Sequence, residues 1–280
     1  MDAGPVRQPA MAGRFYEGHS DALLREIEAC YTGALGPGRL PQVNPEGARD
    51  ILGIVSPHAG YMFSGPTAAH AFLQLADDGI PEVAVIISPT HVTGIQSIQT
   101  EGAWRTPLGD VPIHHELANA VASRLPNFED GVSGFVGEHT LEVQLPFLQH
   151  LYGDRCPIIP IMVVRQDMAE AVAVADAISG ACAGRNVLII ASTDMTHYTR
   201  PEVAIEQDRL LIPLMESLDA EAILRTRPDI TMCGRGAVAA MMLAARKLGA
   251  TTGKLAHYSH SGETMPSDSV VGYASVVVRK

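Results

Sequence analysis

The sequence predicts an α/β fold in which helices flank a mostly parallel central sheet. Short, nearly continuous apolar runs of strand length recur along the chain, and several are rich in Val and Ile, as expected for strands covered on both faces. Segments with helical periodicity lie between these runs. The chain has 280 residues, of which 46% are hydrophobic and 18% charged. It is therefore long enough to bury a sizeable core, and we expect one domain over residues 1–280.

The predicted elements follow one another in a regular order. A helix from about Ser20 to Tyr31 precedes a Gly- and Pro-rich surface loop from Gly33 to Gly47. The strand-like runs that follow are ILGIVS from Ile51, VAVIIS from Val83, PIIPIMVV from Pro157, NVLIIAS from Asn186 and VVGYASVVV from Val270. These runs predict the strands of the central sheet.

Four segments between these runs are typical of helices: GPTAAHAFLQLA, TLEVQLPFLQHLY, MAEAVAVADAISGA and GRGAVAAMMLAARKLG. Pro66 is expected in the first turn of the first segment, where a missing N–H leaves no intrahelical bond unmade. Gly249 is expected to end the last segment as a C-terminal cap. Alternation of these helices with the strands is what favours a parallel arrangement.

Charge and composition exclude several classes of protein. The formal net charge is −11 without a cluster of Lys or Arg, which argues against nucleic acids and anionic membranes as partners. The N-terminal segment lacks the pattern of a signal peptide, and the apolar runs are too short to span a bilayer, so we expect a cytoplasmic protein. The cysteines show no CxxC pairing, which disfavours a disulfide framework or a zinc ribbon. Cys30, Cys156 and Cys182 are interpreted as small buried hydrophobes.

Three of the predicted strands end in Ser and are followed within a few residues by an imidazole. These imidazoles belong to His58, His91 and His197, and Asp194 lies three positions before the last of them. Ligands of open α/β sheets bind outside the carboxyl ends of the strands, so we expect the four side chains to converge on one rim. Each also has a simpler interpretation, because loop histidines are often only hydrogen-bonded and an Asp after a strand often caps a helix.

Two further segments carry candidate functional groups. Cys233 directly precedes a predicted helix, whose N-terminal dipole favours a thiolate, the form that binds metals. The simpler interpretation is a small buried side chain. His139 and Glu142 lie three positions apart at the start of another helical segment. His139 could reach the pocket as an acid or base, whereas Glu142 fits a first-turn acid stabilised by the helix dipole.

The residue types of the candidate ligands favour some metals over others but do not identify a single one. Two imidazoles and a thiolate suit iron, copper or zinc, and they do not suit magnesium or calcium. The set is similar to the two histidines and one carboxylate of non-haem Fe(II) oxygenases, with sulfur in place of the carboxylate. It could equally hold zinc with one open position.

Six sequence blocks resemble, in order, the signature blocks of the Memo family: RQPAMAGRFYEG, SPHAGYMFSG, ISPTHV, GEHTLEVQLPFLQ, STDMTHY and MCGRGAV. The resemblance extends from Val6 to Val278. It implies a fold similar to that of class III extradiol non-haem iron dioxygenases, with the metal at the strand ends. It also implies a set of site residues: metal ligands at His58, His91 and Cys233, with Asp194, His197 and His139 as pocket neighbours.

This sequence departs from the related dioxygenases at one ligand, and the resemblance also implies several partners. The related dioxygenases carry a carboxylate as third ligand, so Cys233 puts ring-cleaving dioxygenation in doubt. The block CGRGAV resembles the microbial form of the family, the AmmeMemoRadiSam system protein B type. Its members are companions of a radical-SAM protein and an AMMECR-type protein, and animal members are linked to receptor signalling through phosphotyrosine peptides.

The sequence is compatible with three functions. The first is a metal-dependent redox or oxygen-using enzyme with a divalent metal, iron before copper, in which His197 and His139 move protons and Asp194 orients His197. The second is a binding module that holds a small molecule, a peptide or a partner protein without catalysis. The third is a zinc hydrolase with a metal-bound water as nucleophile.

Overall fold

The computed structural model describes residues 4–280. Its helices are α1 (Ser20–Thr32), α2 (Tyr61–Asp78), α3 (His115–Ala122), α4 (Leu145–Tyr152), α5 (Met168–Ala181), α6 (Pro201–Glu216), α7 (Ala220–Leu224), α8 (Arg235–Lys247) and α9 (Ser261–Thr264). Its strands are β1 (Val6–Arg7), β2 (Ile51–Ser56), β3 (Val83–Pro89), β4 (Ser97–Ile98), β5 (Ala103–Thr106), β6 (Gly109–Pro112), β7 (Glu129–Asp130), β8 (Ile158–Val163), β9 (Val187–Ser192), β10 (His197–Thr199), β11 (Thr252–His260) and β12 (Val270–Arg279). Short 3₁₀ helices occupy Ser133–Phe135 and Glu142–Gln144.

The large sheet has the strand order β10-β12-β2-β9-β3-β8-β4-β7, with β11 paired to β12. The four central strands β2, β9, β3 and β8 run parallel. Strand β12 is antiparallel to β2, β10 and β11, and β4 is antiparallel to β8. The α/β prediction is confirmed, but the sheet is mixed, with parallel pairing at its centre and between the short edge strands β4 and β7. An apolar run reports burial on both faces and not strand direction, so the run at Val270 could not reveal that β12 is antiparallel.

Helices cover this sheet in two groups. Helix α2 packs against β2, β11 and β12 and contacts α1 and α4, whereas α8 packs against β2, β3 and β9 and contacts α5 and α7. Every residue of β2, β3 and β9 is buried. A Cβ on Gly53 of β2 would lie 2.7 Å from the sulfur of Met241 in α8, so the glycine permits the close approach of that helix.

A separate small sheet joins β1, β5 and β6. No helix within residues 4–280 has the length and apolar character needed to cross a membrane.

Several element boundaries differ from the prediction. Helix α2 begins at Tyr61, so Pro66 lies inside it and not in its first turn. Gly249 follows the end of α8 with φ +106°, which confirms its predicted role as the terminating glycine. Helix α6 and strand β11 had no predicted counterpart. The sequence of α6 alternates charged and apolar residues too irregularly for a clear stripe, and β11 is a half-exposed strand with few β-branched residues.

Candidate metal centre

The carboxyl ends of three parallel strands form the floor of one cavity. His58 follows β2, His91 follows β3 and Asp194 follows β9, while the loop before α8 brings Cys233 to the same place. His197, on β10, lines the same cavity. The structure therefore brings together the residues that the sequence placed at this rim, because parallel strands present their carboxyl ends at one edge of a sheet.

Three side chains present donor atoms to a common point. Nε2 of His58 lies 3.2 Å from Sγ of Cys233 and 3.4 Å from Nε2 of His91. One ligand atom from each of the three residues lies within 4.8 Å of the others. Donors that bind a single ion at ~2.0–2.3 Å are themselves about 3–4 Å apart. The spacing and the chemistry of these donors therefore fit one transition-metal ion.

His58 is the most buried of the three, with 2% of its surface exposed. Its Nδ1 lies 2.9 Å from Oγ of Ser192, the last residue of β9. Burial lowers the pKa of this imidazole well below its ordinary value, and the nearby His139 and His91 lower it further. The ring is therefore neutral near pH 7, as metal binding requires.

The thiol of Cys233 is less acidic than the sequence predicted. Burial raises the pKa of its thiol to about 12, and the carboxylate of Asp194 adds to the rise. Two of the N–H groups at the start of α8 donate to the side chains of Thr193 and Gln166 and not to the sulfur. The backbone N–H of Asp194 does reach the sulfur, at 3.2 Å. A bound cation would be the main source of thiolate character at this position.

Asp194 holds the backbone of a ligand loop. Its Oδ1 accepts the backbone N–H of His58 at 2.7 Å, and burial raises the pKa of the carboxyl to about 7. We expected Asp194 to orient His197, but the hydrogen bond to this ring comes from Thr231, whose carbonyl oxygen lies 3.0 Å from Nδ1 of His197. The reason is that the chain turns after Asp194 and pairs His197 with Val271 of β12, which moves the ring toward the loop before α8.

His139 lies beside the donor group. Its ring centroid is 5.5 Å from that of His91 and 5.6 Å from that of His58, and the ring of Phe15 covers it at 4.8 Å. Burial lowers the pKa of His139, although the carboxylate of Glu138 opposes the shift. A neutral imidazole at this position can accept a proton from a molecule in the cavity.

Sequence reasoning missed Glu138. One carboxylate oxygen of this buried side chain accepts the backbone N–H groups of His91, at 2.6 Å, and Val92, at 3.1 Å; the other accepts that of His139, at 2.9 Å. Burial alone would raise the pKa of the carboxyl, but these N–H groups hold it below its ordinary value. Glu138 thus ties together two loops of the site. Two of its partners are 46 and 47 positions away, so no local pattern could reveal them.

Glu142 does more than the first-turn acid that its position suggested. It is fully buried, forms an ion pair with Arg7, and accepts the backbone N–H groups of Ala10 and Met11. These bonds anchor the N-terminal segment against the site, where Phe15 forms part of the cavity wall. The difference arises because the 3₁₀ helix turns this carboxyl toward the segment that precedes α1.

The cavity has a volume of about 800 Å³. Beyond the polar floor its lining includes Arg14, Phe15, Met62, Phe63 and Tyr198. Met62 is 55% exposed and Tyr198 80% exposed, so the mouth of the cavity is rich in apolar surface. The other cysteines lie elsewhere in the core, as predicted: Cys30, Cys156 and Cys182 are buried.

Comparison with known proteins extends over almost the whole chain. The family model described as "Memo-like protein" matches residues 7–277. A MEMO1 family protein of Methanopyrus kandleri is 42% identical over 282 residues, which cover 98% of this chain and 99% of the relative. One from Methanothermobacter thermautotrophicus is 43% identical over 277 residues, with 96% and 99% covered.

A third relative matches over nearly the whole chain at lower identity. A MEMO1 family protein of Thermotoga neapolitana is 37% identical over 281 residues, which cover 98% of this chain and 99% of the relative. The match therefore includes the floor of the cavity, the N-terminal segment that walls it and the sheet that supports both. This chain belongs to the Memo family.

Proposed function

We propose that this protein is a metal-dependent enzyme of the redox or oxygen-using type, with iron as the first choice of metal and copper as the second. His58, His91 and Cys233 would hold the ion. The observation that carries the proposal is the convergence of two ring nitrogens and one sulfur within 4.8 Å at the floor of a cavity large enough for a substrate. An ion bound there would supply Lewis acidity and redox chemistry at its open positions.

The donor set supports a transition metal over a hard cation. Imidazole and thiolate are borderline-soft ligands that favour iron, copper and zinc, whereas magnesium and calcium prefer oxygen. Three protein ligands leave coordination positions free for a substrate, as in catalytic sites and unlike closed structural sites. The cavity above the donors gives a substrate room to reach those positions.

The surrounding side chains support proton transfer. His139 and His197 both line the cavity, and burial lowers the pKa of each imidazole. Both rings are therefore neutral near pH 7 and ready to accept a proton. The carbonyl oxygen of Thr231 can only accept a hydrogen bond, so it places the proton of a neutral His197 on Nδ1 and leaves Nε2 as the base.

Metal binding by the purified protein tests the proposal. After treatment with a chelator under anaerobic conditions, ferrous iron is added and the bound metal is measured by elemental analysis and calorimetry. We expect one equivalent per chain in the wild type and loss of binding in Cys233→Ala. The matched control is Cys182→Ala, which removes a buried thiol far from the donors and should retain the iron. Failure of the wild type to bind iron, copper or zinc would overturn the proposal.

A binding module is the second candidate, and the exposed apolar side chains of Met62 and Tyr198 at the cavity mouth favour it. Such surfaces commonly hold a peptide or partner. One experiment distinguishes the enzyme from the binding module, because a chelator should abolish enzymatic turnover but leave the capture of a peptide or partner unchanged. Recovery of zinc in place of iron, with no oxygen consumption, would instead favour a hydrolase.

A further inference from the structure

We infer that Ser192 is a positioning residue whose hydroxyl fixes the tautomer of His58, so that Nε2 of this ring faces the cavity as a bare electron-pair donor. The consequence for metal affinity rests on the proposed function. The tautomer itself is a property of the metal-free protein and can be measured without any metal.

The hydroxyl of Ser192 lies among three polar groups. Ser192 is fully buried, and its Oγ has three polar neighbours. These are the carbonyl oxygen of Thr140, Nε2 of Gln144 at 3.1 Å and Nδ1 of His58 at 2.9 Å. A hydroxyl offers one proton and two lone pairs, so three neighbours use its full capacity.

The direction of each bond follows from its partner. A carbonyl oxygen can only accept, so the single proton of Ser192 goes to Thr140. The amide nitrogen of Gln144 can only donate, and its orientation is settled by the carbonyl oxygen of Pro57, which lies 2.9 Å from the same nitrogen. One lone pair of the hydroxyl therefore accepts from Gln144. The other lone pair is left for His58, whose Nδ1 must carry a proton and donate it.

The proton on Nδ1 also determines the state of Nε2, the ring nitrogen of His58 that faces the cavity. With its proton on Nδ1, a neutral His58 has a lone pair on Nε2, and this atom faces both Sγ of Cys233 and Nε2 of His91. A protonated thiol at Cys233 can donate to that lone pair when no ion is bound. Metal-ligating histidines commonly have the other ring nitrogen held in this way, which fixes the tautomer and raises the basicity of the ligand.

The register of the sheet explains why Ser192 lies within reach. Ser56 of β2 pairs with Ser192 of β9 in the parallel ladder. His58 lies two residues beyond Ser56, where the chain leaves the sheet and folds over the end of the neighbouring strand. The imidazole thus meets the last side chain of β9 before it meets the cavity.

Nitrogen NMR of the metal-free protein labelled with ¹⁵N-histidine tests the inference, because protonated and bare ring nitrogens have well-separated shifts. The His58 signals are assigned by their loss in His58→Gln. We expect the form with the proton on Nδ1 in the wild type. In Ser192→Ala we expect the form with the proton on Nε2 to appear, and the affinity for ferrous iron to fall ~10–100-fold.

Two further variants separate positioning from general damage. Ser192→Thr keeps the hydroxyl and should restore both the tautomer and the affinity. Gln144→Met is similar in size and removes the amide with its bonds to Ser192 and Pro57, but Thr140 should still direct the hydroxyl and the tautomer should not change. A wild-type His58 protonated on Nε2, or a Ser192→Ala variant with unchanged tautomer and affinity, would overturn the inference. A wild type with the expected tautomer but no metal binding would overturn only the proposed function.

Discussion

The sulfur of Cys233 lies 3.2 Å from Nε2 of His58, although 175 positions of sequence separate the two residues. Asp194 lies between them and is hydrogen-bonded to the backbone of both. The carboxylate of Asp194 accepts the backbone N–H of His58 at 2.7 Å, and its carbonyl oxygen accepts that of Cys233 at 3.3 Å. The spacing of the two proposed ligands is therefore set by the carboxyl end of β9 and not by contact between the ligands alone.

Asp194 should matter through this hydrogen bond to His58. Asp194→Ala removes the acceptor and is expected to weaken iron binding ~10–100-fold, the usual effect of losing a partner that orients a ligand. Asp194→Asn keeps an acceptor oxygen of the same size and should remain within about tenfold of the wild type. Calorimetric titration of both variants measures the difference. Equal losses in Ala and Asn would show that the charge of the carboxylate, and not its hydrogen bond, supports the site.

Glu138 should support both folding and the site. Glu138→Gln replaces one carboxylate oxygen with an N–H donor, which then faces the backbone N–H groups of His91 or His139. We expect the free energy of unfolding to fall by about 2–3 kcal/mol, as for hydrogen bonds to a buried charged group. Denaturant unfolding measures the loss. The exposed Glu129→Gln serves as control and should change stability by less than about 0.5 kcal/mol; an equal effect of both substitutions would refute this account of Glu138.

The ion pair between Arg7 and Glu142 should anchor the N-terminal wall of the cavity. Arg7→Met leaves the fully buried carboxylate without its cation and is expected to cost about 3–5 kcal/mol of unfolding free energy. Limited proteolysis should then cut the segment before α1 faster. Arg105→Met breaks an exposed pair with Asp110 and should cost less than about 1 kcal/mol. Slow proteolysis and unchanged stability in Arg7→Met would contradict the anchoring role.

Glu170 should make stability depend on pH. This side chain is 6% exposed, and within residues 4–280 neither carboxylate oxygen has a hydrogen-bond partner. Burial, with help from Asp167, raises the pKa of its carboxyl from 4.5 to about 7. The contribution of this group to stability is full below pH 4.5, where the carboxyl is neutral in the folded and unfolded chains. It is lost as the pH rises through about 7, because the unfolded chain ionises first.

The expected loss attributable to Glu170 between pH 4.5 and pH 8 is roughly 2–3 kcal/mol. Glu170→Gln should remove this part of the pH dependence and leave the variant more stable than the wild type at pH 8. Denaturant unfolding at several pH values measures both. Glu202→Gln, at an exposed position in the first turn of α6, should follow the wild-type curve. A Glu170→Gln curve parallel to that of the wild type would rule out the proposed ionisation.

The placement of the candidate site could be predicted because its parts follow local patterns. The strands that end before His58, His91 and Asp194 are short apolar runs, and parallel strands must bring their ends to one edge. The partners of these residues could not be predicted in the same way. Thr231 holds His197 from a loop outside the sheet, and this contact depends on a turn after β9 that no residue pattern announces.

The direction of strands in the sheet also could not be predicted from local sequence patterns. The apolar run of β12 predicted a buried strand, yet its antiparallel direction depends on the half-exposed β11, whose sequence has no clear strand pattern. Glu142 was interpreted only as a first-turn acid, and its buried ion pair with the distant Arg7 appeared only in the structure. Local patterns thus located the candidate ligands, whereas the long-range polar contacts that support them appeared only in the folded chain.

X-ray absorption spectroscopy of the iron-loaded protein can establish whether His58, His91 and Cys233 bind the metal, because it counts sulfur and nitrogen neighbours of the ion. We predict one sulfur at about 2.3 Å and at least two nitrogens at about 2.0–2.1 Å. The sulfur contribution should disappear in Cys233→Ala and persist in Cys182→Ala. Iron surrounded only by oxygen and nitrogen in the wild type would contradict the account.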